Sequence, residues 1–295
     1  MRVTNKLIFD TVINNMLRSS ENLLKDHSEL SSGKKIQRPS DDPIGFSQVL
    51  RYKDSISKNN QYLRNIDNGI SFLEMSDSIL STVDNLLIHS KELAVAMSND
   101  TVTSGDRADT ANEIDNIFNE LVQIGNAKLG NKYIFGGFLN NTAPFDSVGA
   151  YNGDNNSINI DINPNVRIAM NIPGDTVFKA TGGSTIDIFK VLSDFKTALN
   201  NNDTTNIRSA INNIDTALTQ ITNNRAVIGS RINRMESTKN SLEDYNLNME
   251  ALRSNKEDAD ITKTVSNMVL HQTILEASQA SASKVISSSL LNFLR

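Results

Sequence analysis

The sequence contains no cysteine and no tryptophan among its 295 residues. Without cysteine the chain forms no disulfide, and it has no thiolate to serve as a nucleophile or a metal ligand. Aromatic residues make up only 5% of the chain, which leaves few large side chains for one thick globular core. We therefore expect an extended protein of which only part is deeply buried.

Long hydrophobic runs are also missing. No window reaches the ~18 apolar residues of a membrane span, and Leu7-Ile8-Phe9 is shorter than the signal-peptide core of about 7 to 15 residues. The 29 Lys and Arg against 34 Asp and Glu form no basic face that could neutralise a phosphate backbone. We expect no membrane insertion, no nucleic-acid partner and, if the protein leaves the cell, export without a cleaved signal peptide.

Residues with catalytic or metal-binding chemistry are scattered along the chain. His27, His89 and His271 lie in separate predicted helices, and none has a second ligand at metal-binding spacing. Residues 182–185, Gly-Gly-Ser-Thr, lack the lysine and the spacing of a phosphate-binding loop. Residues 154–156, Asp-Asn-Asn, lack the glycine and the terminal glutamate of a calcium loop. The sequence therefore predicts no enzyme activity, no metal and no cofactor.

Apolar residues recur at helical spacing through most of the chain. They predict helices over Thr4–Leu30, from Pro43 to near Met97, from Ala111 to near Gly130, over Ile186–Leu199, from Ile207 to Leu252 and from Ile261 to the chain end. In the second helix, steps of four and three connect Tyr52, Ile56, Asn59, Leu63, Ile66, Ile70, Leu73, Asp77, Leu80, Asp84, Leu87, Lys91 and Ala94. A similar row runs from Ile207 to Leu252. Such rows are the contact lines of coiled coils, so the long helices should bundle into a rod.

The middle of the chain changes to the alternating pattern of β-strands. Ile158, Ile160 and Ile162 alternate with polar residues, Pro164-Asn165 supplies a turn, and a second alternating run extends from Val166 to Ile172. With apolar residues at 133–138 before it and at 177–178 after it, this hairpin predicts a β-rich segment over 131–185. Asn152-Gly153 is typical of a second hairpin turn.

A polar connector follows the first helix. Gly33 is suited to end that helix, and the next helix should begin at Pro43, with a Ser or Asp oxygen accepting its first N–H groups. Helix capping also explains the adjacent acids Asp41 and Asp42 better than a catalytic acid–base pair does, because both carboxylates are expected to be solvated and ionised. The predicted connector motif comprises Lys34, Arg38, Pro39, Ser40, Asp41, Asp42 and Pro43.

The final helix is almost free of charge. Between Thr264 and Leu294 its only ionised side chains are Glu276 and Lys284, and its predicted contact row is Ile261, Val265, Met268, Gln272, Leu275, Gln279, Ala282, Ile286, Ser289 and Phe293. Apolar residues off that row require burial on several sides. Since the N-terminal helix covers only one side, other copies should cover the rest. The predicted assembly interface is Leu7, Ile8, Val12, Leu17, Leu24, Val265, Met268, Leu275, Ile286, Leu290 and Phe293.

These patterns predict a mainly α fold with a small β-rich insertion, an elongated antiparallel coiled-coil rod and paired terminal helices. Three domains are expected. Residues 1–42 with 255–295 form a terminal helical assembly domain, residues 43–130 with 186–254 form a helical rod, and residues 131–185 form a β-rich outer domain.

Three segments resemble a known family. Residues 30–45, Leu-Ser-Ser-Gly-Lys-Lys-Ile-Gln-Arg-Pro-Ser-Asp-Asp-Pro-Ile-Gly, are similar to the segment after the first helix of flagellin-related axial proteins. Pro39 and Pro43 within it resemble the hook-associated branch of that family. Residues 131–138, followed by 142–145 and 151–154, are similar to the start of that branch's outer domain, and residues 225–233 to its returning rod helix.

The resemblance implies a structural subunit of the bacterial flagellum at the junction between hook and filament. It implies extracellular assembly as a ring of copies between hook-associated protein 1 and flagellin. Delivery would be by type III export of an unfolded chain held beforehand by a cytoplasmic chaperone. A filament flagellin, or another type III-secreted coiled-coil assembly protein such as a needle-tip or translocator component, is the alternative.

Overall fold

The computed structural model describes residues 2–179 and 186–293, with side-chain surroundings described for residue 7 and from residue 9 to 283 outside the internal gap. Residues 182–185 therefore lie outside the described residues. The elements are α1 Arg2–Ser32, α2 Pro43–Met97, α3 Ser104–Gly125, β1 Lys128–Leu129, β2 Lys132–Tyr133, β3 Asn159–Asn163, β4 Val166–Ala169, α4 Gly174–Phe178, α5 Ile188–Asn200, α6 Thr204–Glu257 and α7 Ile261–Phe293. The expectation of a mainly α, flagellin-like fold with a small β insertion is confirmed.

The chain forms two compact units. One contains Met1–Ser57 and Tyr245–Arg295, and the other contains Lys58–Asp244. In the second unit, the guanidinium of Arg225 lies 2.9 Å from the carboxylate of Asp77, and Lys239 Nζ lies 2.7 Å from Asp67. Because the later residue of α6 pairs with the earlier residue of α2, these helices run antiparallel, as the sequence predicts.

The most buried row of α2 is displaced by one residue from the predicted row at three positions. Ser76, Val83 and Ser90 are buried there, whereas the predicted Asp77 and Asp84 are half-buried and face Arg225. The hydroxyls of Ser76 and Ser90 donate to backbone carbonyls four residues earlier. Their burial therefore leaves neither hydroxyl unsatisfied. The two aspartates lie at the edge of the helix contact instead of in its centre.

Helix α3 ends at Gly125, before the predicted end near Gly130. The reason lies in Asn126, whose side-chain amide donates to the carbonyl of Phe145 and accepts from its N–H at 2.8 and 2.9 Å. Gly125 faces the Phe145 ring, so the chain leaves the helix against that side chain. The short β1–β2 hairpin then turns through Gly130.

The hairpin predicted over residues 158–172 is present as the antiparallel pair β3–β4. Asn165 takes a positive φ of 60° in its turn, and Ile162 and Ile168 are buried. Two other details of this region were wrong. The chain reverses at residues 146–150, not at Asn152-Gly153, and residues 177–178 lie in α4 instead of a β segment.

An aromatic cluster forms the core around these loops. Successive rings lie between 5.0 and 5.8 Å apart, and the cluster comprises Phe118, Phe135, Phe145, Tyr151, Phe178 and Phe189. Burial raises the pKa of Tyr151 to about 12. Its hydroxyl lies within hydrogen-bond distance of the carbonyl oxygens of Phe135 and Asp154. The cluster thus joins α3 and α5 to the irregular segment between them.

Gly149 provides a test of this packing. It has a positive φ of 75°, and a Cβ there would come within 2.8 Å of Phe189. Gly149→Ala should lower the free energy of unfolding by about 1–3 kcal/mol beyond the backbone cost, because the ring cannot retreat in a close-packed core. Gly130→Ala is the control, since Gly130 also has a positive φ but an open surrounding. Equal losses of thermal stability in the two variants, measured by circular dichroism, would contradict the packing described.

Candidate assembly site

The first helix ends where the sequence predicts. Gly33 takes a φ of +69°, which closes α1, and its N–H donates to the carbonyl of Glu29 at 2.8 Å. Ser32 and Gln37 then hold the turn through a side-chain hydrogen bond of 2.7 Å. The chain is therefore directed away from the α1 axis within two residues.

The connector is hydrogen-bonded to the backbone at the boundary between α6 and α7. Lys34 forms an antiparallel bridge with Asp258, the N–H of Lys35 donates to the carbonyl of Glu257 at 2.8 Å, and the N–H of Ala259 donates to Gly33 at 2.8 Å. Backbone bonds of this kind do not depend on side-chain identity. The end of α1 and the start of α7 are consequently held at one fixed point.

Glu257 is the central side chain of this point. Its side chain is only 4% exposed, and Oε1 accepts from Lys34 Nζ and Lys53 Nζ, each at 2.7 Å. Burial by itself raises the pKa of Glu257, but the hydrogen bonds from the two lysines outweigh burial, and the pKa lies below its usual range. Lys34 was among the predicted connector residues, whereas Glu257 was not among the predicted site residues. In the structure Glu257 is the last residue of α6, and Asp260 accepts from the N–H of Lys263 in the first turn of α7.

The two aspartates of the connector have different roles. Asp42 Oδ1 accepts from the N–H of Gly45 at 2.9 Å and so caps α2, which begins at Pro43 as predicted. Asp41 instead accepts from the N–H groups of Arg38 and Gln37, and these backbone hydrogen bonds lower its pKa.

The remaining predicted connector residues, Arg38, Pro39 and Ser40, are exposed. Ile36 is the buried residue of this segment. Ile36 was not among the predicted connector residues, although a lone apolar residue in a polar connector indicates burial.

Helices α1 and α7 pack against each other in an antiparallel pair. In each helix, one row of buried and half-buried residues follows steps of four and three, and Ser20, Glu29 and Asn267 are half-buried beside these rows. The rows are Val12, Met16, Ser19, Leu23, Asp26 and Leu30 in α1, and Thr264, Met268, His271, Leu275, Ser278 and Ala282 in α7. We name these two rows the terminal seam. Three positions of the predicted α7 contact row, Met268, Leu275 and Ala282, belong to it, whereas Ile261, Val265, Gln272 and Gln279 of that row are exposed and lie outside the seam.

The terminal seam contains a polar pair. His271 Nδ1 lies 2.6 Å from Asp26 Oδ2, and Asp26 is 7% exposed. The two residues are 245 positions apart in the sequence, which is why spacing rules for metal or catalytic sites did not connect them. Among residues 2–179 and 186–293 no group of side chains is arranged to hold a metal.

The predicted assembly residues divide into two sets. Val12, Met268 and Leu275 are half-buried in the terminal seam, whereas Leu7, Leu17, Leu24 and Val265 are exposed. The side chains of Ile8, Ile286, Leu290 and Phe293 lie outside the described residues. Phe9, Ile13, Val269, Leu270 and Ile274 are further exposed apolar residues of the two helices.

These exposed side chains form rows beside the terminal seam. In α1, Ile13, Leu17 and Leu24 each follow a seam position by one residue, and in α7 exposed apolar residues flank the seam on both sides. Within the described helices, no stretch is both long and apolar enough to span a bilayer. Apolar surface of this extent at a helix pair is typical of a protein interface.

Comparisons with known proteins agree with this description. The family model for the bacterial flagellin N-terminal helical region matches residues 5–138, and that for the bacterial flagellin C-terminal helical region matches residues 211–294. The chain therefore belongs to the bacterial flagellin family and is a structural component of the flagellum.

Within this family the chain is similar to the hook-associated branch. It is 26% identical to flagellar hook-associated protein 3 of Escherichia coli (strain K12) and 25% identical to that of Salmonella typhimurium, in both cases over 94% of this chain and 95% of the relative. The resemblance to the hook-associated branch is thereby confirmed.

Solved structures share the fold. A flagellar hook-associated protein of Vibrio parahaemolyticus covers 74% of this chain and all of its own with a TM-score of 0.68 at 19% identity. The flagellar junction protein FlgL of Legionella pneumophila covers 72% of this chain and 100% of its own, with a TM-score of 0.60 at 18% identity.

Glu257→Gln tests the junction of connector and helices. At neutral pH the variant should lose about 1–3 kcal/mol of stability, because two charged hydrogen bonds are weakened at a buried group. The contribution of Glu257 is fully present above the pKa of an unfolded glutamate, roughly 4.3, and disappears as the pH falls through its lower folded-state pKa. The difference between wild type and variant should therefore shrink in acid. Glu250→Gln, at an exposed position of α6, serves as control and should change unfolding little at any pH.

Proposed function

We propose that this chain forms the junction between the flagellar hook and the flagellin filament. The observation that carries the proposal is the pair of terminal helices with exposed apolar rows, in a chain that resembles flagellar hook-associated protein 3 along 94% of its length. Copies of the chain would cover each other's rows in a ring. Hook-associated protein 1 would adjoin the ring on one side and flagellin on the other.

The rows suit this role for a physical reason. An exposed leucine in α1, such as Leu17 at 58% or Leu24 at 67%, gains free energy when a neighbouring copy removes it from water. The same surface has little value in an isolated chain. The subunit would therefore act by packing and would require neither catalysis nor a cofactor.

The other parts of the chain are assigned in the same proposal. Residues 1–42 with 255–295 are the assembly domain, residues 43–130 with 186–254 the helical rod, and residues 131–185 the outer domain. The ion pairs of Glu257 with Lys34 and Lys53 support the boundary between the assembly domain and the rod. We further propose that a cytoplasmic chaperone holds the chain before type III export and that the exported subunit acts outside the cell.

A filament flagellin is the second candidate, because the matched family models are those of flagellin. The connector prolines Pro39 and Pro43 and the segment 131–145 favour the junction. Both candidates use the same terminal helices, so a cellular phenotype must separate them.

Deletion of the gene makes that separation. The junction proposal expects bare hooks by electron microscopy and unpolymerised flagellin in the spent medium. Normal filaments on the deletion strain would contradict it and point to a dispensable flagellin or another secretion system.

Complementation with Leu17→Asp tests the exposed row. A carboxylate buried between copies would lose its hydration without a partner, so this variant should leave hooks bare although the purified chain keeps its helical circular dichroism. Asn22→Asp adds the same charge to an exposed polar position of the same helix and should restore filaments. Filaments on cells that carry Leu17→Asp would show that the α1 row is not an assembly surface.

A further inference from the structure

The terminal seam mixes polar with apolar residues. Ser19 and Asp26 occupy it in α1, and Thr264, His271 and Ser278 occupy it in α7. The row that follows the α1 seam by one residue is mixed as well, with Ile13, Leu17 and Leu24 apolar and Ser20, His27 and Ser31 polar. Burial of apolar surface alone would therefore distinguish the two rows only weakly.

A small rotation would exchange the two rows. Successive residues of an α-helix are about 100° apart, so turning α1 by one residue brings Ile13, Leu17 and Leu24 toward α7. On α7 the exposed Leu270 and Ile274 lie next to the seam and could receive them. Some interaction must therefore hold the observed setting against this alternative.

The polar pair in the seam supplies that interaction. The bond between Asp26 and His271, at 2.6 Å, is shielded from water because Asp26 is buried. With the carboxylate ionised, the imidazole N–H donates and the carboxylate accepts, which is a strong class of hydrogen bond. It forms only when both residues point into the seam, and a buried polar pair at a seam position is known to select one helix arrangement over others.

We propose that Asp26 and His271 are positioning residues that fix the rotational setting of α1 and α7 and so keep the apolar α1 row facing outward for neighbouring copies. The part that concerns neighbouring copies rests on the proposed function. The rotational setting itself is a property of one chain and can be measured on the purified protein.

The absence of cysteine makes the test direct, because two introduced cysteines are the only thiols. Asp26 and His271 lie at one level of an antiparallel pair, so Ser19 and Ser278, each seven residues away, share another level. The reporter for the observed setting is Ser19→Cys with Ser278→Cys. The reporter for the rotated setting is Ser20→Cys with Ser278→Cys, which moves one thiol by a single residue.

Rates of disulfide formation under mild oxidation are compared in the full-length chain. With Asp26 and His271 present, the disulfide of the Ser19→Cys, Ser278→Cys variant should form about tenfold faster than that of the Ser20→Cys, Ser278→Cys variant. This is the preference expected from one charge-assisted hydrogen bond. Adding Asp26→Ala with His271→Ala should reduce this ratio to about twofold or less. The exchanged pair Asp26→His with His271→Asp should restore it, a result that a merely space-filling role would not produce.

A matched control removes two nearby exposed side chains, with Glu21→Ala and Gln272→Ala, and should leave the ratio unchanged. Equal rates for both reporters in the native background, an unchanged ratio without the Asp26–His271 pair, or no recovery in the exchanged variant would overturn the proposal. Because no flagellum is involved, these results stand apart from the deletion phenotype. A correct rotational setting with normal filaments on the deletion strain would reject the junction and leave this inference intact.

Discussion

The buried carboxylate of Glu257 is the interaction on which the terminal part of the chain depends. It lies at the end of α6, beside the start of α7, and it binds one lysine from the connector and one from α2. A charge removed from water without partners is strongly unfavourable, so Lys34 and Lys53 must be in place together. The end of α1, the first turns of α2 and the junction of α6 with α7 are consequently ordered as one structure.

Small polar residues play a similar part inside the helix contacts. Ser76 and Ser90 are buried between helices, and each hydroxyl is satisfied by a carbonyl of its own helix. Their small volume lets another helix approach closely without leaving a donor unpaired. In the terminal seam, Ser19 and Asp26 lie where leucine would give more stability, which makes the arrangement specific at some cost in strength.

Much of the fold could be predicted because the signals are local. The long helices, the break before Thr204, the cap at Pro43 and the β3–β4 hairpin depend on periodicity and turn residues that neighbouring positions determine. The displaced contact rows of α2 and α7 have one main cause. Most of the missed positions carry small or polar residues, such as Ser76, Ser90 and Ser278, which a search for apolar residues overlooks.

The candidate site could be predicted less completely, because its main contacts join distant residues. Lys34 was selected for its place in a motif, but Glu257 is far away in the sequence, and a run of acids such as residues 257–260 is typical of a helix start. The bond between His271 and Asp26 is likewise invisible to spacing rules. Leu17 and Leu24 were predicted as assembly residues because they are apolar. The side from which a partner would approach them depends on the rotation of the helix, which the sequence alone does not give.

The scarcity of charge in the last helix has a consequence for the medium in which a flagellum works. Surface ion pairs weaken as dissolved ions screen them, whereas contacts between apolar side chains keep their strength or gain it in salty water. Val265, Val269, Leu270 and Ile274 expose such side chains on a helix with few ionised residues. A joint that relies on them would hold equally in fresh water and in brine, an external condition that a cell cannot regulate.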